Sequence, residues 1–391
     1  MTMEERISTV VRDMPPSGIR KFFDIASEMK DCISLGVGEP DFDTPWNIRE
    51  SAIYAIETGR THYTSNHGST ELRKAIRDYF EMRFGLSYEI SQIVATVGAS
   101  EGLDLAFRAL MNAGDEVIVP APSYVAYMPG VTLAGGKPVP MILTEEDQFR
   151  ITPESLRAAI TPKSKAVIIA FPNNPTGAIM TKEDYEKIAD IIIEHDLIVI
   201  ADEVYAELTY GEQHFSIAQL PGMQERTVII SGFSKAFAMT GFRLGYAAGP
   251  KPLIDAMVKI HQYSMLCAAA MSQDAGAEAM RYECSHGFVQ VKQMVGEYNR
   301  RRRLMYASFN DMGLKCFEPL GAFYVFPNIS STGLKADEFC KRLLFEKQVA
   351  CVPGTAFGDT MDNFMRCSYA TSLENLKEAL SRIKSFVESL K

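Results

Sequence analysis

Thr227-Val-Ile-Ile-Ser-Gly-Phe-Ser-Lys-Ala-Phe-Ala-Met-Thr-Gly-Phe-Arg-Leu-Gly-Tyr-Ala-Ala-Gly249 decides the fold. A β-branched run, 227–231, passes into a glycine-flanked loop and then into a second short apolar run, 244–249. Apolar runs of four to six residues bounded by turns are the signature of strands covered on both faces, because neither pleat face can then be polar. The same kind of run recurs upstream at 93–97, 116–119, 166–170 and 197–201. Longer amphipathic stretches separate the runs: one opens at Ser100, one covers 124–133 and one covers 182–195. This alternation predicts an α/β layer protein with a mostly parallel, seven-stranded sheet between helices.

Downstream of Pro252 the sequence reads as helical to about residue 312, without proline and with few β-branched clusters. A shorter α/β pattern follows, with strands at 322–326, 349–352 and 364–369, a helix over 336–347 and a terminal helix from Leu373. The expected organisation is a large domain, 46–285, and a small α/β domain built from both chain ends, 1–45 and 286–391.

Composition narrows the function. The 391 residues carry 40 Lys+Arg against 49 Asp+Glu, a formal charge of −9, and are 47% hydrophobic and 23% charged, which is ordinary globular composition. An acidic balance argues against nucleic-acid binding, which rests on cations that neutralise phosphates. The one basic cluster, Arg300 to Arg303, reads as a solvated helix face. Seven cysteines are scattered without a C-x-x-C pair, so no metal site is expected, and Cys340 and Cys351 read as buried apolar residues. The longest wholly apolar stretch, Met265 to Met271, falls well short of the about 20 residues that span a bilayer. The start, Met1-Thr-Met-Glu-Glu-Arg, lacks signal-peptide character, and a cytoplasmic location is expected.

Four segments at strand ends carry the chemistry, since ligands of open α/β sheets bind outside the carboxyl ends of the strands. Gly98-Ala-Ser-Glu-Gly102 joins a strand to a helix. It suits a phosphate on a helix N-terminus, equally fits the G-x-S-x-G nucleophile elbow, and could be a tight turn capped by Ser100. Phe171-Pro-Asn-Asn-Pro-Thr-Gly177 is a rigid loop that holds Asn173 and Asn174 as amide donors. In Ala201-Asp-Glu-Val-Tyr205 a carboxylate ends a buried strand and asks for a cation, with Tyr205 three residues on. In the opening stretch, Lys235 lies among Phe233, Ala236, Phe237 and Met239; desolvation lowers a lysine pKa, and a neutral amine is what Schiff-base chemistry needs. Ser234 and Arg243 could together hold an anion. One ligand uses all of these parts: pyridoxal 5'-phosphate, whose aldehyde needs an amine, whose phosphate needs a helix N-terminus and an arginine, and whose ring nitrogen needs a carboxylate.

At this level the chain resembles the fold-type I pyridoxal-phosphate enzymes, specifically the class I/II aminotransferases related to bacterial aspartate aminotransferases. The resemblance runs from Gly36-Val-Gly-Glu-Pro-Asp-Phe-Asp-Thr-Pro45 to Met365-Arg-Cys-Ser-Tyr369. It implies that Lys235 forms the internal aldimine and moves the substrate proton. Asp202 would pair with the pyridinium nitrogen, Tyr205 and Asn174 would bond the phenolic oxygen, and Tyr124 would stack on the ring. The phosphate would be held by the backbone of Ala99, Ser100 and Glu101, by Ser234 and Arg243, and by Tyr63 of a second subunit, which implies a homodimer with shared active sites. Arg366 would clamp the substrate α-carboxylate, with Gly38 lining the substrate site. The sequence departs from the family's commonest pattern at Gly232, often Ser, where Ser231 could substitute, and at Phe242, often Trp.

The implied reaction is transfer of an amino group between an L-amino acid and a 2-oxo acid by a ping-pong cycle. The same site also supports β-elimination of the C–S lyase type. A reading from another class, an α/β-hydrolase using Ser100, needs a histidine from among His195, His214, His261 and His286 and leaves the Lys235 segment unexplained. Arg108, on the helix that opens at Ser100, is either a contact for a distal substrate carboxylate or a surface partner of Asp104.

Overall fold

The computed structural model describes residues 2–16, 29 and 31–390. Seven strands form the central sheet: β1 Ile93–Thr96, β2 Glu116–Ala121, β3 Lys137–Ile142, β4 Ser164–Ala170, β5 Ile198–Asp202, β6 Thr227–Gly232 and β7 Gly245–Ala248. Their order is β1-β7-β6-β5-β4-β2-β3. Neighbours run parallel except β7, which is antiparallel to both β1 and β6. The α/β class and the mostly parallel sheet are as the alternation of runs predicts. Ile168, Ile200, Ile229 and Ile230 are fully buried, and each such side chain contributes about 1.5–3 kcal/mol by leaving water.

The strand with no expectation of its own is β3, whose Pro138 and Pro140 argue against an interior position. It lies at the sheet edge. Lys137 N–H points inward, to the Asp115 carbonyl, so the two proline nitrogens, offset by one residue, face the open side where no donor is needed.

Helix Gly98–Leu110 follows β1 and packs unusually close to the sheet. A Cβ on Gly102 would lie 3.0 Å from Ile230 Cγ2, and one on Gly245 would lie 2.5 Å from Ala99 N. Two glycines thereby seat the first turn of this helix beside the loop that follows β6.

The helical stretch after Pro252 is three helices, Lys251–Ser264, Ala270–Ser285 and Val289–Asp311. The helix expected over 124–133 begins only at Tyr127. A second core, with Tyr298, Phe323, Phe339, Met365, Ile383 and Phe386 fully buried, surrounds a three-stranded sheet of Val352–Pro353, Met365–Ser368 and Tyr324–Val325. Ile33–Ser34 pairs in parallel with Val349–Ala350, tying the early chain to this late region. Cys316, Cys340, Cys351 and Cys367 are buried, and all seven cysteines are free.

Arg300–Arg303 departs from its expected solvated face. Arg301 donates through Nη1 to both Asp41 oxygens at 2.8 Å and lies over the Phe42 and Tyr298 rings. Arg302 donates to Glu318 at 2.7 Å and to the Pro319 carbonyl at 3.0 Å. Both are buried, whereas Arg300 and Arg303 are exposed. Consecutive helical residues are rotated by about 100°, so four arginines in a row cannot share one face.

Candidate active site

A cavity of about 390 Å³ opens at the carboxyl ends of β4, β5 and β6, and both cores contribute to its wall. Asp202 is the last residue of β5 and is buried. Its Oδ2 accepts from the Tyr127 hydroxyl at 2.7 Å and its Oδ1 from Val204 N–H at 3.2 Å. Burial pushes its carboxyl up to about 6, although both hydrogen bonds favour the anion. A carboxylate in this state is short of one cation.

Lys235, in the loop after β6, donates to the Gly38 carbonyl and sits within 6 Å of the Tyr205 and Phe323 rings, at 5.9 and 5.6 Å. Burial draws its ammonium down to about 8; Glu39 opposes the shift, while Arg366 and Arg243 add to it. Near pH 8 a large share of this amine is therefore neutral and nucleophilic.

On one side of Lys235 lies an anion cradle. Ala99 and Ser100 open helix Gly98–Leu110, whose start carries no side-chain cap, so N–H groups of its first turn face the cavity. Ser234 and Arg243 complete the lining. Gly98, at φ +76°, has no room for a side chain: its Cβ would lie 2.9 Å from Arg243 Nη2. Glu101 does not line the cavity. Its carboxylate turns back to accept from Val97 N–H at 2.5 Å and meets His261 Nδ1 at 2.6 Å, so it ties down the residue that precedes the helix and leaves the first-turn N–H groups without a side-chain cap.

On the other side, Arg366 Nη1 donates to Asn174 Oδ1 at 2.9 Å and Nη2 donates to the Gly36 carbonyl. Its Nε is buried without a hydrogen-bond partner among the described residues. The guanidinium carbon stacks 4.5 Å from the Tyr324 ring centre and 4.9 Å from that of Phe357. Asn174 faces the cavity, but Asn173 does not: its Oδ1 accepts from Thr176 N–H and Oγ–H at 3.2 and 2.8 Å and so staples the loop.

Gly38, Tyr124 and Tyr205 also line the cavity, so the structure brings together Gly38, Ala99, Ser100, Tyr124, Asn174, Asp202, Tyr205, Ser234, Lys235, Arg243 and Arg366. Besides Glu101 and Asn173, three expected positions lie elsewhere. Tyr63 is 83% exposed and away from the cavity of its own chain. Arg108 is exposed and pairs with Asp104 at 3.0 Å, which is the surface reading. Ser231 donates to the Glu203 carbonyl at 3.2 Å instead of substituting at the cradle. None of His195, His214, His261 and His286 lines the cavity with Ser100, so the hydrolase constellation does not form. Tyr127 and Tyr324 are among the site residues that the sequence left unassigned, with Glu39 and Thr240. The available cue was a phenol inside an otherwise apolar run, as in Ala322-Phe-Tyr-Val-Phe326, because a buried hydroxyl must find a partner.

The family model "Aminotransferase class I and II" matches residues 30–383. The chain belongs to the class I and II aminotransferases. This aminotransferase is 46% identical to the aspartate aminotransferase of Pyrococcus abyssi and 44% identical to aromatic-amino-acid aminotransferase 2 of Thermococcus litoralis, each over the full length of both chains. It superposes on the aspartate aminotransferase of Thermus thermophilus solved with maleate at a TM-score of 0.92, with 40% identity, covering 97% of this chain and 99% of that one. It is a transaminase, an enzyme acting on amino acids and 2-oxo acids.

The transaminase keeps Asp202 at a cost to its own stability. With a carboxyl held near 6 instead of 3.8, the folded state binds more protons than the unfolded chain between these values. Stability of the cofactor-free protein therefore falls as pH rises from about 4 to 6 and stays lower above, a difference of about 3 kcal/mol. Asp202→Asn is expected to raise the urea midpoint of cofactor-free protein at about pH 7.5, with the gain vanishing near pH 4, while removing most of the activity.

Proposed function

We propose that the transaminase is pyridoxal 5'-phosphate-dependent and works by a ping-pong cycle in which a 2-oxo acid leaves before the second substrate enters. The observation that carries this reading is a buried amine, Lys235, sharing one cavity with an uncapped helix N-terminus and Arg243 on one side and Arg366 on the other. The cofactor fits the residues present. Its phosphate suits the cradle of Ala99, Ser100, Ser234 and Arg243, and its protonated ring nitrogen is the cation that Asp202 lacks. When bound, it supplies an aldehyde for the amine and a ring that takes up the electron pair left when the substrate Cα–H bond breaks.

The chain's own residues do the rest. Lys235, as a neutral amine in the cavity, would take the Cα proton of the bound substrate, for which a pKa near 8 is well matched. Arg366, steadied by Asn174, receives the α-carboxylate on its planar fork and so fixes which substrate bond faces Lys235. Tyr205 holds a proton at the cofactor's phenolic oxygen, aided by Asn174. Tyr124 would hold the ring in the cavity, and Asp202, held by Tyr127, would keep the ring nitrogen protonated. Gly38, bonded to Lys235, lies on the segment that closes the substrate side and excludes water.

Tyr63, exposed in a single chain, supports a homodimer in which it completes the phosphate site of the other subunit. The site then lies where the large domain, 46–285, meets the small one, 1–45 and 286–391. No described helix is long and apolar enough to cross a membrane, in keeping with a cytoplasmic enzyme. The reading is tested by giving the cofactor-loaded protein an L-amino acid without any acceptor and following the 2-oxo acid formed.

A further inference from the structure

Tyr324 stands where three parts of the site meet. Its hydroxyl is 2.8 Å from that of Tyr205, and both phenols are buried. Its ring carries the Arg366 guanidinium at 4.5 Å. Its hydroxyl oxygen also lies 2.5 Å from where a Cβ on Gly38 would be, so the segment that accepts from Lys235 can pass only as glycine. We propose that Tyr324 is a positioning residue of the transaminase, acting through Tyr205 on the proton at the cofactor's phenolic oxygen and through Arg366 on the substrate carboxylate.

This rests on the cofactor reading above. If Tyr205 donates its only proton to the phenolic oxygen, the short contact between the two hydroxyls requires Tyr324 to be the donor and Tyr205 the acceptor. Among the described residues the Tyr324 hydroxyl bonds to Tyr205 alone, so the chain has one direction: Tyr324 to Tyr205 to the cofactor. Hydrogen bonds in series polarise one another, so a donor into Tyr205 makes Tyr205 a stronger donor and favours the ionised phenolic oxygen. The ring contributes separately, since an aromatic face over a buried guanidinium is attractive and restricts its rotation.

Spectroscopic titration of the cofactor-loaded protein separates the two roles. Tyr324→Phe keeps the ring and removes the donor; the pKa of the bound chromophore should rise by about half to one unit, with the KM for amino acid changed less than threefold or so. In a Tyr205→Phe background the same replacement should shift nothing, because the relay is already cut. Tyr324→Leu should instead raise that KM by roughly 3- to 30-fold. Incorporation of 3-fluorotyrosine at 324, a more acidic phenol of nearly unchanged shape, should move the chromophore pKa down, and it supplies the test even if Tyr324→Phe folds poorly. An unchanged pKa with the fluorinated phenol, or an equal shift with and without Tyr205, would overturn the proposal. Failure of wild-type protein to form a visible chromophore with pyridoxal phosphate would instead refute the cofactor reading itself.

Discussion

Lys235→Ala is expected to lower kcat by about 10⁴-fold or more, because on the proposed reading one substitution removes both the amine that would join the cofactor and the base that would move the substrate proton. The loss should be chemical and not structural. Among the described residues Lys235 makes one hydrogen bond, to the Gly38 carbonyl, and its side chain is otherwise packed against Tyr205 and Phe323. Its pKa is drawn from 10.5 to about 8, so the folded state binds fewer protons than the unfolded chain between these values. Stability rises with pH across that window, and below about pH 8 the buried ammonium is a standing penalty that alanine removes. The variant should therefore unfold no earlier than wild type at neutral pH, offset only by the packing of the lost methylenes. A small amine such as ethylamine, admitted to the space left by the side chain, should restore part of the rate. Activity within tenfold of wild type, or a variant that is inactive because it is unfolded, would count against the role assigned to Lys235.

The second large effect is expected at Arg366. Truncating one member of a buried, hydrogen-bonded charge pair costs about 2–5 kcal/mol, so Arg366→Ala should lower kcat/KM for L-amino acids by roughly 30- to 5,000-fold. Arg366→Lys should recover little of this, because an ammonium keeps the charge but not the fork that can meet both carboxylate oxygens. The discriminating comparison is between an amino acid and the amine left when its carboxyl group is removed. Wild-type protein should prefer the acid strongly, and in Arg366→Ala that preference should collapse while turnover of the amine changes little. Equal losses on acid and amine would show that Arg366 supports the site without touching the carboxylate.

The central sheet was legible because strands buried on both faces have no polar residues to break their pattern, as at 166–170 and 227–231. Its edge was not: Lys137–Ile142 carries two prolines, and only the open side of an edge strand makes them harmless. The polar groups that line the cavity could be read because they sit at or just beyond the ends of buried strands, where a carboxylate such as Asp202 or an amine such as Lys235 is out of place unless it has a task. Their partners could not. Tyr127 reaches Asp202 across 75 residues of sequence and Tyr324 reaches Tyr205 across 119, and neither separation leaves a local pattern. Arg301 and Asp41 illustrate the same limit. A run of four arginines looks solvated until the helix turns two of them inward, Arg301 toward Asp41 across 260 residues and Arg302 toward Glu318 just past the helix end.

The central claim is that one cavity joins a cofactor-bearing lysine to a carboxylate-binding arginine for amino-group transfer. It is tested most directly by a single half-reaction: purified protein loaded with pyridoxal phosphate is mixed with an excess of an L-amino acid, with no 2-oxo acid present. The expected result is one equivalent of 2-oxo acid per chain and then no further reaction, with the cofactor's visible absorbance lost and regained when a 2-oxo acid is added. Continuous release of ammonia or a thiol without an acceptor, or no spectral change with any L-amino acid, would contradict it.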